Sequence, residues 1–355
     1  MNRRLADVAQ HVGVSQATVS RVLNDKPGIS QATRDAVLTA LDVLGYERPN
    51  KLRGERARLV GIVLPEMTNP VFPALAEAMA GALAKRGFSP VLCTRTVDGV
   101  AEADYVSILL EQQASGVLFG GGLYQEADAD HSHYAALRER SLPTVLVNAA
   151  VDGLGFPQVC TDDGHGIDMA YGHLAALGHD RIALLLGPVD HVPSARKLAA
   201  YLAARDRHGH SGPALVARAP FAMAEAQVAA GRLIAEGAGA LICASDVTAI
   251  GAIRAAHRQG LAVPGDVSII GYDDSPVMAC TDPPLTTIRQ PVDAMGHAAV
   301  SLLLAQIDGA PSRAEELLFE PELVVRSTTG AAPRPAAGRR SVAAHGGQSP
   351  AFQVS

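Results

Sequence analysis

The chain has 355 residues, 48% of them hydrophobic, with a net charge of −6, which is too long for one ordinary domain and apolar enough for a sizeable core. The charge is unevenly spread: residues 1–58 carry ten basic and six acidic side chains, a net +4 that leaves −10 for the remainder, so attraction for phosphates concentrates at one end. No apolar run approaches the ~20 residues needed to span a bilayer, and the start, MNRR to Asp7, lacks the apolar stretch of a secretion signal, so the expected location is cytoplasmic, on the nucleoid, with no membrane partner.

Leu5, Val8, Ala9 and Val12 recur at the spacing of one helical face, and Gly13 can take the left-handed backbone that ends a helix. Ser15 then caps a second helix whose Val19, Val22 and Leu23 face inward. Gln16, Ala17, Thr18, Ser20 and Arg21 are left pointing outward, as on a recognition helix that reads base edges and phosphates. A third helix starts behind Ser30, with Ala36, Val37, Ala40, Leu41 and Leu44 on one face. Residues 1–47 therefore read as a helix-turn-helix domain for double-stranded DNA. The polar, basic stretch 48–58, broken by Gly54, reads as a linker.

From Leu59 onward, short β-rich runs alternate with amphipathic segments. Strands are expected at 59–65, 89–94, 116–121 and 144–148, with helices over about 70–86, 101–113 and 133–140. A second series opens with a strand at 157–161 and continues with strands at 181–187, 214–218, 240–245 and 267–274. Its helices are expected at about 164–177, 193–206, 223–236 and 247–259. Such alternation implies parallel sheets covered by helices on both faces. The fold class is thus an all-α helix-turn-helix domain plus an α/β bilobed, periplasmic-binding-protein-like body (59–330) of two doubly wound sheets. Crossings between lobes are expected near Asn148–Gln158, Asp273 and Pro283–Gln290, with a ligand between the lobes at the carboxyl ends of the strands. Residues 331–355, rich in Ala, Pro, Gly and Ser, read as a disordered tail.

ADVAQHVGVSQATVSRVLND resembles the N-terminal signature of the lac-repressor family of bacterial transcriptional regulators. The resemblance resumes in EMTNPVF (66–72), HLAALGHDRIALLLGP (173–188), SAR (194–196), ASDVTAIGAI (244–253), VPGDVSIIGYDD (263–274) and PPLTTIRQP (283–291). It implies a dimeric repressor on a pseudo-palindromic operator, controlled by a small effector, most simply a sugar acting on carbohydrate-utilisation genes. It also puts Gln16, Ala17 and Arg21 at base-reading positions, with Ser15, Thr18, Ser20, Asn24 and Thr33 on phosphates. Family members place a turn or more of Ala-rich helix between PN and a Leu that wedges into the minor groove. Here Leu52 follows Asn50 almost at once, so it is either the wedge or part of a plain tether.

For the effector, the resemblance points to Asn69, Phe72, Asn148, Arg196, Phe221, Ser245, Asp246, Asp273 and Gln290. Carboxylates, amides and an Arg suit vicinal hydroxyls, and an aromatic suits the apolar face of a sugar ring. Asn148 stands where relatives often have Asp, and Ser245 where Asn is common. Asp246 has an alternative reading as a helix cap, Asp273 or Asp274 as a turn cap, though one of the two at the cleft is the better reading, and Phe72 and Phe221 as core. A purine or nucleoside effector, or a protein coregulator, is the alternative within the regulator class; a sugar-binding module without a DNA role is a remoter one.

Other constellations fall away. GGGL (120–123) lacks the order of a phosphate-binding loop, and His131 and His133, beside Asp128 and Asp130, read as a polar surface loop rather than a metal site. Cys93, Cys160, Cys243 and Cys280 form no CxxC pair, and no GxSxG or Ser/His/Asp arrangement suggests a nucleophile. The sequence implies no cofactor, no metal and no enzyme.

Overall fold

A computed structural model describes residues 2–23, 26–44, 58–95 and 99–333. The N-terminal module consists of α1 (Asn2–Val12), α2 (Gln16–Leu23) and α3 (Gln31–Val43). Val8, Val19, Val22 and Val37 are fully buried in its small core, with Ala9, Ala40 and Leu41 around them. Gly13 takes φ +73°, a conformation that costs glycine nothing, and the Val14 N–H donates to the Ala9 carbonyl at 3.0 Å to close α1.

The chain divides into two compact units, and each has the same strand plan. In the first, β1 (Leu59–Leu64), β2 (Ser89–Thr94), β3 (Gly116–Phe119), β4 (Thr144–Val147), β5 (Gln158–Thr161) and β11 (Glu316–Phe319) form one sheet in the order β11-β5-β4-β3-β1-β2. All its pairs are parallel. Alternation along the strands sorts side chains to two cores. Val60, Ile62 and Leu64 meet α4 (Val71–Ala84) and α11 (Val292–Ile307) on one face. Val63, Val117 and Phe119 meet α5 (Glu102–Glu111) and α6 (Ser132–Glu139) on the other.

The second unit holds β6 (Ile182–Leu186), β7 (Leu215–Arg218), β8 (Ala240–Cys243), β9 (Ser268–Asp273), β10 (Thr286–Arg289) and β12 (Glu322–Val324), in the order β12-β10-β9-β8-β6-β7. Only β12 runs antiparallel. One face is covered by α9 (Met223–Ala235) and α10 (Asp246–Arg258), the other by α7 (Asp163–Ala176) and α8 (Val192–Arg207). In both sheets the strand order reverses beside the first strand, between β1 and β3 and between β6 and β8. In open α/β sheets such a reversal leaves a crevice at the carboxyl ends of the strands.

Three expectations are corrected. β5 does not open the second series: it pairs with β4 through Leu146↔Gln158 and Val147↔Val159 and belongs to the first sheet. The stretch 148–158 is therefore a connection within the first unit, which continues to Asp162. Asp273 is no crossing either, since β9 and β10 pair through Thr286↔Ile270 to Arg289↔Asp273 in one sheet. The chain changes unit after Arg289, within the expected 283–290 stretch, and again after Glu320. A β/α pattern counts elements without naming their partners, so a strand that follows another without an intervening helix is assigned to the wrong sheet. The linker, apart from Arg58, and residues 334–355 lie outside the described residues. Among the described residues no helix is long and apolar enough to cross a membrane.

Candidate functional site

The outward face of α2 carries Gln16, Ala17 and Arg21, all exposed, while Thr18 and Ser20 are half-buried. Ser15 stands before α2 and accepts from the Thr18 backbone N–H at 3.1 Å, and its hydroxyl lies 2.9 Å from that of Thr18. Ser30 and Thr33 repeat the arrangement before α3, at 3.2 and 2.8 Å. These hydroxyls thus finish two helix N-termini, which present backbone N–H groups and positive partial charge to anions. The Arg21 guanidinium donates through Nη2 to the Pro27 carbonyl at 2.9 Å, which braces a long side chain on the exposed face and lowers the entropy cost of using it. Asn24 and Leu52 lie outside the described residues.

In the first unit, Phe72, Asn148 and Gln290 line one pocket, together with Gly120, Val147 and other apolar side chains. It opens at the carboxyl edge of the sheet, beside the reversal: Gly120 follows β3, Asn148 follows β4 and Phe72 sits in the first turn of α4. Asn148 takes φ +71°, a left-handed conformation that Asn tolerates better than most residues, and its N–H donates to the Val159 carbonyl at 2.8 Å. The Gln290 carboxamide oxygen accepts from the Thr161 hydroxyl at 2.6 Å, which fixes that side chain. Asn69 is buried and its Oδ1 accepts from the Val71 N–H at 3.4 Å, so it shapes the entry to α4 and is not among the residues lining the pocket.

In the second unit, Arg196 lies in α8 and Phe221 in the turn between β7 and α9, both half-buried, with Phe221 packed on one core. Ser245 is the N-cap of α10: its hydroxyl accepts from the Thr248 N–H at 3.2 Å and the Thr248 hydroxyl answers to the Ser245 N–H at 3.1 Å. The capping that sequence reasoning offered to Asp246 thus falls to Ser245. Asp246 is fully buried; its Oδ2 accepts from the Ser275 N–H at 2.8 Å and its Oδ1 from the Thr287 hydroxyl at 2.6 Å. Burial pushes its carboxyl up to about 7, against the lowering effect of those two hydrogen bonds. Asp273 ends β9 at φ +116° and is 6% exposed. Its neighbour Asp274 is committed elsewhere, paired with Arg289 at 2.7 Å and Arg326 at 2.6 Å.

Two buried ionisable clusters escaped sequence reasoning. Lys197 pairs with Asp163 and stacks over the Tyr272 ring at 4.0 Å, while the Tyr272 hydroxyl donates to Asp163 at 2.7 Å. The second cluster overturns the surface reading for His133, while His131 stays half-buried. His133 is 7% exposed and its Nε2 lies 2.8 Å from a carboxylate oxygen of Glu102, which is 2% exposed. Only the fold brings α5 and α6 together, and 31 positions separate the partners, so no local spacing reveals them. Among the described residues no group of three or more His, Cys, Asp or Glu could hold a metal ion.

Residues 4–50 match the family model of bacterial regulatory proteins of the lacI family, and residues 171–329 match that of a periplasmic binding protein-like domain. The chain is 46% identical over 338 residues to the HTH-type transcriptional regulator MalR of Streptomyces coelicolor, covering 94% of this chain and 98% of that protein. Among solved structures, the transcriptional regulator CelR–cellobiose complex superposes with a TM-score of 0.70 at 31% identity, over 91% of this chain and 99% of CelR. The lac repressor dimer bound to operator and the anti-inducer ONPF superposes with a TM-score of 0.69 at 29% identity, over 92% and 98%. The chain is a DNA-binding transcriptional regulator and belongs to the lacI family of bacterial regulatory proteins.

Proposed function

We propose that the protein is a dimeric repressor that acts by binding rather than catalysis, and that a small carbohydrate controls it. Its two helix-turn-helix modules read successive major grooves of a pseudo-palindromic operator on the nucleoid, with Gln16, Ala17 and Arg21 at the bases and Ser15, Thr18, Ser20, Asn24 and Thr33 at phosphates. Phe72, Asn148 and Gln290 of the first unit contact the effector; Arg196, Phe221, Ser245 and Asp273 are its candidate partners in the second. The observation that carries the carbohydrate reading is the pocket at the strand reversal, where an aromatic side chain stands with two amides. By residue type the set pairs an apolar ring face with amides suited to hydroxyls, in a pocket whose lining is otherwise apolar. The CelR–cellobiose structure supports the same reading.

The test is calorimetric unfolding of the protein against mono-, di- and oligosaccharides and purines, since the absence of Trp makes intrinsic fluorescence a poor probe. A carbohydrate at ~100 times its dissociation constant stabilises the native state by about 2.7 kcal/mol and raises the midpoint. A shift with purines alone would replace the carbohydrate reading.

A further inference from the structure

Beside the first unit's pocket lies a largely buried polar network centred on Glu102. Glu102, the first residue of α5, receives the Tyr134 hydroxyl and His133 Nε2 on one oxygen and the Leu123 N–H, at 3.2 Å, on the other. The Tyr134 hydroxyl accepts in turn from the Tyr124 N–H at 2.9 Å. The Tyr124 hydroxyl donates to the carbonyl of Val147, the last residue of β4 and the neighbour of Asn148. His131 Nε2 meets the Leu123 carbonyl at 2.9 Å, so both backbone polar groups of Leu123 are held. The loop so gripped is the glycine run after β3. A Cβ on Gly122 would stand 2.3 Å from Glu102 Oε2, and one on Gly121 3.1 Å from the Phe72 ring; both glycines have φ above +150°. Gly120, Phe72, Val147 and Asn148 all line the pocket.

We infer that Glu102 is a positioning residue for effector recognition: through Leu123 and the Tyr134–Tyr124 pair it sets where the glycine loop, Phe72 and Asn148 stand. A carboxylate is required because its two oxygens accept from three donors, whereas an amide offers one accepting oxygen. Glu102 itself is 2% exposed and does not line the pocket. The inference rests on the reading of this pocket as part of the effector site, and its test separates the two.

The protein is labelled with 4-fluorophenylalanine, which gives at most seven fluorine resonances, and Phe72→Leu assigns that of Phe72. Glu102→Gln keeps the side chain's volume and removes one acceptor; Tyr134→Phe keeps the ring and removes the link to Tyr124. Each variant moves the Phe72 resonance and leaves that of Phe221, in the second unit, in place. With cellobiose and maltose as probes, each also weakens binding about tenfold while ligand-free operator affinity stays unchanged. An unmoved Phe72 resonance in folded variants overturns the inference. If neither sugar shifts the unfolding midpoint of the unsubstituted protein, the carbohydrate reading loses its support, while the fluorine shifts still decide whether Glu102 sets the position of Phe72; sugar affinity unchanged in both variants overturns its role in recognition. Should Glu102→Gln not fold, Tyr134→Phe carries the same test.

Discussion

Burial pushes the Asp246 carboxyl up to about 7, against the lowering effect of its bonds from Ser275 and Thr287, whereas the unfolded chain returns it to ~3.9. Between those values the folded state binds more protons than the unfolded one, so this group's contribution to stability falls as pH rises from ~4 to about 7 and is level above. Asp246→Asn removes the titration. The variant's midpoint minus that of the unsubstituted protein should therefore climb over that range and then flatten. A difference independent of pH would show that the carboxyl does not titrate there. Lys197 and Asp163 pose the opposite problem, a charge pair taken out of water together. Lys197→Met leaves Asp163 buried with only the Tyr272 hydroxyl among these partners, at a cost of about 3–5 kcal/mol by urea unfolding. Lys197→Met with Asp163→Leu should recover much of that loss, because the desolvation cost disappears with both charges. A double variant no more stable than the single one would mean that the pair is worth more than its burial costs.

Elements pack here through small residues, as where α9 meets α10. A Cβ on Gly251 would stand 2.7 Å from the Met223 carbonyl oxygen and 2.9 Å from the Ala226 Cβ, so the helices approach only because position 251 has no side chain. Gly251→Ala gains helix propensity on paper yet must push α9 away, and the net loss should be about 1–3 kcal/mol in chemical denaturation. A neutral or stabilising outcome would mean that α9 can shift freely. Elements of this kind were mostly legible in the sequence, because period and caps are local: α2 and α3 start where Ser15 and Ser30 stand, and α10 starts one residue before the expected position, with Ser245 rather than Asp246 as its cap. What stayed hidden is non-local. The partner of β5, the edge strands β11 and β12, and the Glu102–His133 contact depend on which segments meet, and residue types at fixed spacing do not encode that. Asp246 shows the same limit within a site: its residue type suggested a ligand contact or a cap, and the fold committed both oxygens to Ser275 and Thr287.

At the scale of the whole molecule, regulation requires that DNA and effector be bound by separate parts whose free energies are linked. The charge division is in keeping with the first condition, with +4 on residues 1–58 and −10 on the rest, so phosphate attraction concentrates at the N-terminal module. Effector binding need change operator affinity by only ~1–3 kcal/mol to switch it 5- to 150-fold. Arg21→Ala tests the separation. The residue is exposed on α2 and braced by Pro27, so its loss leaves the module's core untouched while removing the side chain best suited to a bidentate guanine contact. On a fragment selected from a random pool by the unsubstituted protein, the variant should lose discrimination against a scrambled fragment. Its remaining DNA affinity should keep a steep salt dependence, because phosphate contacts persist. The effector's shift of the unfolding midpoint should be the same in both proteins. An Arg21→Ala protein that still footprints the selected fragment selectively would move base reading to Gln16, Ala17 or outside α2. One that loses the effector's shift as well would show that the two functions are not carried by separate parts.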